Sequence, residues 1–253
     1  MNLGIIPARF ASTRLMGKPL ADIGGKPMIQ HTYESSQKSK MLHEVIIATD
    51  DEKVAQVARD FGARVIVTPK DIATGSDRIA YVAQNMPHAD IIVNIQGDEP
   101  FIQGRMIDEA IEPLFFDSSV NVSTLAKKIT TVEELENPSI PKVVFDYHNF
   151  ALYFSRSPIP FVRDARSHLE SLRVADIYKH IGLYVYRREA LLKFTSLPPT
   201  DLERIEKLEQ LRMLENGFKI KIVVTELESL SVDTPEDLEL ARRYYSKMFR
   251  INH

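Results

Sequence analysis

The sequence contains no cysteine among its 253 residues, which excludes disulfide bonds, thiolate chemistry and zinc sites built on cysteine. It also lacks any apolar run near the ~18 residues that a membrane-spanning helix requires. The formal net charge is −3, so we expect no nucleic-acid partner and no insertion into an anionic membrane, and any basic site has to be local. The first residues favour a strand and lack the layout of a signal peptide, so we expect a soluble, cytoplasmic protein.

The glycine motif G-x-G-x-x-G does not follow the first apolar run, which disfavours a dinucleotide-binding domain. What is present is a regular alternation of short apolar runs and helical patterns, with 44% apolar residues overall. Strands at 3–6, 44–49 and 64–67 alternate with amphipathic helices. This order predicts an α/β fold with a Rossmann-like, mostly parallel central sheet flanked by helices.

The segment after the first strand is rich in cations and small residues. We predict that Pro7 ends the strand 3–6, because proline cannot donate a hydrogen bond to a sheet. From position 8 to 21 the chain contains no acid. Its cations are Arg9, Arg14 and Lys18. Backbone N–H groups and fixed cations at the carboxyl end of a strand suit a polyphosphate, although an ordinary basic surface loop is the alternative.

Further along, the sequence predicts helix starts at two loops. Asp50 is expected to cap a helix that Gly62 ends, and Ser76 to cap the helix that follows the loop 68–78. The start of this second helix offers N–H and hydroxyl groups to a nucleotide, although capping alone would explain Ser76. His31 lies in an earlier helix without a flanking partner motif, so we expect a packed or solvated histidine.

A pair of acids follows the predicted strand 90–95. The residues after that strand are Gln96-Gly97-Asp98-Glu99-Pro100. Carboxylates at the carboxyl end of a strand suit Mg²⁺, which takes one or two carboxylates together with substrate phosphates. A turn with solvated acids is the alternative.

The second half of the chain changes character. Runs at 142–146 and 150–156 predict a hairpin, and the charged stretch 161–176 has no periodicity, so we expect a mobile flap there. The predicted strand 178–186 places His180 and Tyr184 on one face.

Near the C-terminus, a helix is predicted over 201–215, ended by Asn216-Gly217. Thr234 is expected to cap and Pro235 to open a last helix. Asp233 precedes that cap, so capping does not explain it.

Together these motifs resemble the 3-deoxy-manno-octulosonate (KDO) cytidylyltransferase family of sugar-activating nucleotidyltransferases. The resemblance spans positions 7 to 237 and departs at Met16, where many relatives have proline, and at Thr74, Ser76 and Asp77. The matching segments are Pro7-Ala8-Arg9, Ser12-Thr13-Arg14, Gly17-Lys18-Pro19-Leu20, Gln96 to Pro100, Tyr153 to Arg156, Lys179-His180, Gly182 to Tyr184 and Leu208 to Arg212.

The resemblance implies the fold of nucleotide-diphospho-sugar transferases, as a single domain over 1–253 with an inserted lobe near 130–190. It implies the reaction of CTP with KDO to give CMP-KDO and diphosphate, which serves lipopolysaccharide synthesis. It also implies a homodimer with the lobe at the contact, and two Mg²⁺ ions per site, one of them carried by CTP.

Residue roles follow from the same resemblance. Asp98 and Asp233 are the implied metal ligands, and with Lys18 and Arg9 they form the implied catalytic set; Glu99 is a helper. The implied CTP contacts are Pro7, Ala8, Arg9, Ser12, Arg14, Lys18, Thr74, Gly75, Ser76 and Gln96. The implied KDO contacts are Arg78, Arg156, His180, Tyr184, Glu209 and Gln210.

Other functions stay open. A related enzyme acting on 8-amino-KDO would share these features, whereas enzymes acting on sialic acid resemble this sequence less at the first loop. A nucleotide-sugar glycosyltransferase expects an Asp-x-Asp pattern, which Gly97-Asp98-Glu99 lacks. A non-catalytic nucleotide-binding module could keep the basic loop but would not need both Asp98 and Asp233.

Overall fold

The computed structural model of the protein describes residues 1–10 and 15–251. The chain forms two compact units, the first of Met1–Asp108 with Glu228–His253 and the second of Glu109–Leu227. The predicted lobe near 130–190 falls within the second unit. In the part of the chain that the structure describes, none of the helices has the length and apolar character needed to cross a membrane.

The elements alternate as the sequence pattern predicts. The strands are β1 Asn2–Ala8, β2 Asp22–Ile23, β3 Lys26–Pro27, β4 Glu44–Thr49, β5 Arg64–Val67, β6 Ile91–Asn94, β7 Val122–Lys128, β8 Lys142–Phe145, β9 Ala151–Ser155, β10 Tyr178–Arg187 and β11 Ile220–Val224. The helices are α1 Met28–Ser36, α2 Glu52–Asp60, α3 Gly75–Gln84, α4 Gly104–Phe116, α5 Val132–Glu136, α6 His168–Val174, α7 Arg188–Thr195, α8 Asp201–Glu206, α9 Gln210–Glu215 and α10 Pro235–Ile251, with a 3₁₀ turn at Lys18–Leu20.

In the first unit, β6, β1, β4 and β5 lie side by side in that order, and all are parallel. Ile5 of β1 is paired with Ile46 on one side and Asn94 on the other. The apolar side chains of β1, β4 and β6 are buried, which is why their sequences are continuous apolar runs, whereas those of the edge strand β5 are partly exposed. The carboxyl ends of parallel strands share one edge, so the loops after β1 and β6 lie together.

In the second unit, β7 pairs with β11 in parallel and with β10 in antiparallel orientation. The predicted hairpin is present as β8 and β9, and β8 also pairs with β10. The sheet is therefore mixed and mostly parallel, and helices flank it. This confirms the predicted fold class.

Strand β1 does not end before Pro7, as we predicted, but continues to Ala8. Pro7 is paired with Ala48 of β4. On the other side, the pairing of β1 with β6 stops at Ile5, whose carbonyl accepts from the Ile95 N–H. Because successive residues of a strand alternate their bonding side, the nitrogen of Pro7 faces the side where β6 has ended. The missing N–H therefore costs no sheet hydrogen bond.

The cap of α2 was predicted one residue too early. Asp51, not Asp50, accepts hydrogen bonds from the backbone N–H groups of Lys53 and Val54. The Asp50 carboxylate instead forms an ion pair with Arg78 at 2.8 Å. A capping rule does not distinguish two adjacent aspartates. Their roles differ here because Asp50 pairs with Arg78, which is distant in the sequence.

The cap of α3 was also misplaced. Thr74, not Ser76, accepts from the Asp77 N–H, and the Asp77 carboxylate accepts from the Thr74 N–H in a capping box. Ser76 lies inside the first turn of the helix and is buried.

Two other predicted elements differ. The stretch 161–176 contains helix α6, which Ser167 caps, and seven residues are too few to show a clear period. The predicted helix 201–215 is two helices, because Lys207 adopts a left-handed backbone with φ 53°. Arg156 donates to the carbonyls of Glu206 and Lys207, so side-chain donors satisfy the end of α8.

Several local predictions are confirmed. His31 is buried, and its Nε2 lies 2.7 Å from the Ile23 carbonyl oxygen. Gly62 follows the end of α2 with φ 85°, as a glycine at this position should. Thr234 and Pro235 begin α10, with the Thr234 hydroxyl accepting from the Asp237 N–H.

Candidate active site

Two acids far apart in the sequence meet at one lysine in the first unit. Lys18 Nζ lies 2.6 Å from Asp98 Oδ2 and 2.7 Å from Asp233 Oδ1. The Lys18 side chain is 12% exposed, and those of Asp98 and Asp233 are 27% and 35% exposed. The group is therefore shielded enough for strong electrostatic interaction and open enough to admit a ligand.

Each member of this group sits at the end of an element. Lys18 opens the 3₁₀ turn after Gly17, whose φ of 69° favours glycine. Asp98 lies in the loop after β6, and Asp233 lies two residues before α10. Loops at strand and helix ends can bring charges together because no ladder or helical geometry constrains their side chains.

The backbone around Asp233 is fixed from both sides. The Val232 N–H donates to the Asp98 carbonyl at 2.9 Å, which joins the two loops directly. The Asp233 N–H donates to the Asp237 carboxylate at 3.0 Å. The capping hydrogen bonds of α10 therefore also set the position of Asp233.

A third acid lies beside the pair. Burial raises the pKa of Glu99 to about 7, a hydrogen bond from Ser229 opposes this rise, and the carboxylates of Asp98 and Asp233 add to it. Among the described residues, this site included, no group of three or more acidic, histidine or cysteine side chains is arranged to hold a metal ion by itself. A metal at Asp98 and Asp233 would thus need further oxygen ligands from a substrate, as Mg²⁺ commonly has.

The carboxyl end of β1 is closely approached by two other segments. A Cβ atom at Gly97 would lie 2.9 Å from the Pro7 carbonyl oxygen, so only glycine fits there. A Cβ atom at Gly75 would lie 3.6 Å from Pro7 Cγ, an ordinary contact. Arg9 Nη2 donates to the Ile72 carbonyl at 2.7 Å and ties the first loop to the loop before α3. The end of β1, the start of α3 and the loop after β6 therefore meet around Pro7.

The structure thus brings together many of the predicted CTP contacts. Ala8 is buried at the end of β1, Ser76 is buried in α3, and Gln96 is partly exposed after β6. Ser12 and Arg14 lie outside the described residues. The roles of these residues toward a nucleotide stay predictions.

Arg78, predicted to contact the sugar acid, is fully buried in the first unit. Its guanidinium pairs with Asp50 at 2.8 Å and donates to the Thr68 hydroxyl. Burial lowers the pKa of Arg78 from its usual value, and the Asp50 charge opposes that shift. A contact with a substrate carboxylate would require Arg78 to leave this ion pair, so the geometry favours a structural role. Capping rules and periodicity gave no signal for this long-range pair.

Arg156 in the second unit is similarly occupied. Its guanidinium donates to the backbone carbonyls of Pro138, Glu206 and Lys207 at 2.8, 2.7 and 3.2 Å. These bonds join the end of β9 to the end of α8. The predicted contact of Arg156 with a carboxylate is not what this geometry favours, because backbone carbonyl oxygens accept from all three of its nitrogens and hold the guanidinium in place.

His180 and Tyr184 share a face of β10, as predicted, with ring centroids 5.3 Å apart. His180 Nε2 lies 2.9 Å from the hydroxyl of Thr124, a partner that the sequence did not indicate. Burial lowers the pKa of His180 to about 3 and raises that of Tyr184 well above its usual value. The Tyr184 hydroxyl is buried near the Thr124 side chain and makes no well-formed hydrogen bond among the described residues, so it would gain one from a polar ligand group there.

Glu209 and Gln210 stand at the beginning of α9. Gln210 is buried, and Glu209 Oε1 lies 3.6 Å from Arg212 Nη2. The predicted single helix would have placed both residues in its interior. The observed break places them at a bend of the chain instead.

Comparison with known proteins gives a consistent result. The family model described as cytidylyltransferase matches residues 3–222. A 3-deoxy-manno-octulosonate cytidylyltransferase of Geobacter sulfurreducens is 54% identical over 244 residues, covering 94% of this chain and 97% of the relative. The protein of the same name from Solibacter usitatus is 52% identical over 245 residues, covering 96% and 94%.

Solved structures agree with the sequence relatives. A CMP:2-keto-3-deoxy-manno-octonic acid synthetase complexed with CTP superposes with a TM-score of 0.90 and 40% identity, covering 98% of this chain and 100% of that one. A cytidylyltransferase of Leptospira borgpetersenii has a TM-score of 0.63 at 20% identity, which shows a shared fold alone.

Proposed function

This chain belongs to the 3-deoxy-manno-octulosonate cytidylyltransferase family, and from that premise we propose that it transfers the CMP group of CTP to KDO. The anomeric hydroxyl oxygen of KDO forms a bond to the α-phosphorus of CTP. The bond from that phosphorus to the oxygen bridging to the β-phosphate breaks, and diphosphate leaves with its electron pair. The hydroxyl proton passes to solvent water, and the products are CMP-KDO and diphosphate.

The observation that carries this proposal is the convergence of Asp98 and Asp233 on Lys18. A binding module has no need for two acids that face one cation. A nucleotidyltransferase needs such a group, because negative charge moves between phosphate oxygens during the reaction.

In such a reaction the protein acts through positioning and charge rather than covalent chemistry. Lys18 and Arg9 offset negative charge on the phosphates. The first turn of α3, which Thr74 caps, presents backbone N–H groups beside Pro7. The close contact of Gly97 with Pro7 lets the loop bearing Asp98 approach the end of β1.

The two carboxylates also suit the expected metal. Both already meet at a single positive charge, and oxygen ligands are what Mg²⁺ prefers. Asp98 and Asp233 would hold one Mg²⁺, and a second would arrive with CTP. Mg²⁺ held by these two residues would supply Lewis-acid chemistry, polarising a phosphate and lowering the pKa of a hydroxyl bound to it.

For the sugar acid, the buried hydroxyl of Tyr184 is the best supported contact. Tyr184 donates to a KDO oxygen, and neutral His180 flanks it. Glu209 and Gln210 bind sugar hydroxyls from the start of α9. Arg78 and Arg156 support the surrounding structure.

The test is a product assay with CTP and Mg²⁺ and three sugar acids: KDO, 8-amino-KDO and sialic acid. We expect stoichiometric diphosphate and CMP-KDO, with KDO giving the highest kcat/KM. Faster turnover of 8-amino-KDO would shift the assignment to that substrate. CTP binding without product from any of the three would overturn the proposal in favour of a binding module.

The assembly and setting follow from the same proposal. We place the reaction in the cytoplasm, where CTP is made, as a step toward lipopolysaccharide. We expect a homodimer formed through the second unit, where Tyr147, Leu152 and Phe161 are exposed apolar side chains. Sedimentation of the purified protein tests this: a dimer that Leu152→Glu dissociates supports it, and a monomeric wild type contradicts it.

A further inference from the structure

The segment that carries Asp233 lies along the loop that follows β6. Residues 228–233 belong to no helix or strand, so no regular hydrogen-bond pattern fixes their path. Three contacts hold them to the loop instead. Val232 N–H donates to the Asp98 carbonyl, Ser229 Oγ donates to Glu99 Oε2, and Gln103 Nε2 donates to the Glu228 carbonyl at 3.1 Å.

These contacts differ in what they can fix. The Val232 side chain is fully buried beside Ile23, Met28 and Leu238, so packing holds that point of the segment. Packing and the backbone hydrogen bond from the Val232 N–H to the Asp98 carbonyl hold the end of the segment next to Asp233, but neither fixes the path of residues 228–231. The side-chain bond of Ser229 to Glu99 is directional, and it lies four residues before Asp233.

The adjacent residues Asp98 and Glu99 therefore have different partners. The Asp98 side chain points to Lys18, whereas the Glu99 side chain points to Ser229. One acid of the dipeptide faces the charged group, and the next acid holds the segment that supplies the other carboxylate. Any shift of the dipeptide moves both.

We propose that Glu99 and Ser229 are positioning residues, whose hydrogen bond sets the separation of the Asp98 and Asp233 carboxylates. This inference rests on the proposed function, because that separation matters only if both carboxylates serve one metal ion. Glu99 acts through Ser229 and the segment 228–233, and it is not itself a metal ligand. Such supporting hydrogen bonds commonly change metal affinity or activity by about 10- to 100-fold.

The test compares five variants of the full-length protein: Ser229→Ala, Glu99→Ala, the double variant that combines these two changes, Glu99→Gln and the control Ser39→Ala. Ser39 donates to the Asp108 carboxylate at 2.5 Å, so the control removes a hydroxyl–carboxylate bond in the same unit away from the charged group. Mn²⁺ binding in the presence of CTP is measured by electron paramagnetic resonance, and turnover is measured against Mg²⁺ concentration.

We expect Ser229→Ala and Glu99→Ala to weaken Mn²⁺ binding by about tenfold or more and to raise the Mg²⁺ requirement to match. The double variant should be no worse than either single one, because both remove the same bond. Glu99→Gln keeps an oxygen that accepts from Ser229 and should lie closer to wild type. Ser39→Ala should bind Mn²⁺ as wild type does.

The inference is overturned if Ser229→Ala and Glu99→Ala lower only the melting temperature, as Ser39→Ala does, with Mn²⁺ binding unchanged. It is also overturned if Glu99→Gln is as impaired as Glu99→Ala, since the charge and not the hydrogen bond would then matter. Failure of the proposed function is a separate result, in which the wild type binds CTP and Mn²⁺ but forms no CMP-KDO.

Discussion

Lys18 and Asp233 stand 215 positions apart in the sequence, yet Lys18 Nζ and Asp233 Oδ1 are 2.7 Å apart in the fold. The same ammonium group contacts Asp98. A divalent ion that binds both aspartates closely would have to displace this ammonium group. Since the phosphates of CTP attract Lys18, nucleotide binding would free the two carboxylates for the ion.

Lys18→Met is expected to bind Mn²⁺ more tightly than wild type in the absence of nucleotide, while turnover falls. Removing a competing unit charge at this distance is worth about 1.4 kcal/mol or more, which is roughly tenfold in affinity. Electron paramagnetic resonance of Mn²⁺ without CTP measures the change. Lys26→Met, which breaks an ion pair with Glu34 in the same unit, is the matched control. Equal Mn²⁺ affinity in wild type and Lys18→Met would show that Lys18 does not compete.

Asp98→Asn and Asp233→Asn should each lower kcat by about 100- to 1,000-fold or more, because each removes a carboxylate charge that would hold the metal ion which stabilises the reacting phosphate. Folding should change little, since both side chains remain partly exposed. Diphosphate release and thermal unfolding are measured in parallel. The exposed Asp90, which pairs with the N-terminus, provides a control as Asp90→Asn. A near-normal rate in either site variant would remove that residue from the metal site.

Gly97→Ala should destabilise the protein by about 1–3 kcal/mol and reduce turnover, because the new Cβ would lie 2.9 Å from a backbone oxygen that cannot swing away. Denaturant unfolding measures the stability. Gly75→Ala is a matched comparison, because its Cβ meets the same Pro7 at 3.6 Å. Its stability should stay near wild type. Similar losses in both variants would mean that the close contact at Gly97 is not what matters.

Stability should fall in mild acid partly through His180. Above about pH 6.5 this histidine is neutral in both the folded and the unfolded chain, so it does not make stability depend on pH. As the pH falls from 6.5 toward 3, the unfolded chain takes up a proton that the folded chain does not, so the free energy of unfolding decreases. The loss at pH 5 is up to about 2 kcal/mol.

His180→Gln should therefore show a shallower decline of the free energy of unfolding between pH 7 and pH 5 than wild type. His88→Gln, which removes an exposed histidine, should keep the wild-type slope. Urea unfolding at several pH values gives both slopes. Identical slopes for wild type and His180→Gln would show that His180 takes up a proton equally in both states.

Periodicity and turn chemistry predicted most of the first unit, because its buried parallel strands are apolar runs and its helices have one apolar face. They misplaced two caps, since Asp50 and Asp51, or Thr74 and Ser76, differ only in partners that lie elsewhere. The ion pair of Asp50 with Arg78 and the three carbonyl contacts of Arg156 left no local pattern in the sequence.

The candidate site, too, was predicted only in part. The resemblance placed Asp98, Asp233 and Lys18 in one site, and the fold brings them together. It also implied that Arg78 and Arg156 contact the sugar acid, whereas the observed geometry favours structural roles for both. A sequence does not distinguish an arginine that faces a substrate from one that donates to backbone carbonyl oxygens. Only the residues around its side chain in the fold show which role it has.

The left-handed backbone of Lys207 does more than end α8, because it also determines where α9 packs in the second unit. In an unbroken helix, Glu203 and Arg212 would be separated by about 13 Å along the axis. The bend brings α9 back against α8, so Arg212 donates two hydrogen bonds to the Glu203 carboxylate, at 2.8 and 2.5 Å. Glu209 and Gln210 therefore lie at a bend that the ion pair of Glu203 with Arg212 stabilises. The direction of their side chains depends on that ion pair rather than on a continuous helix.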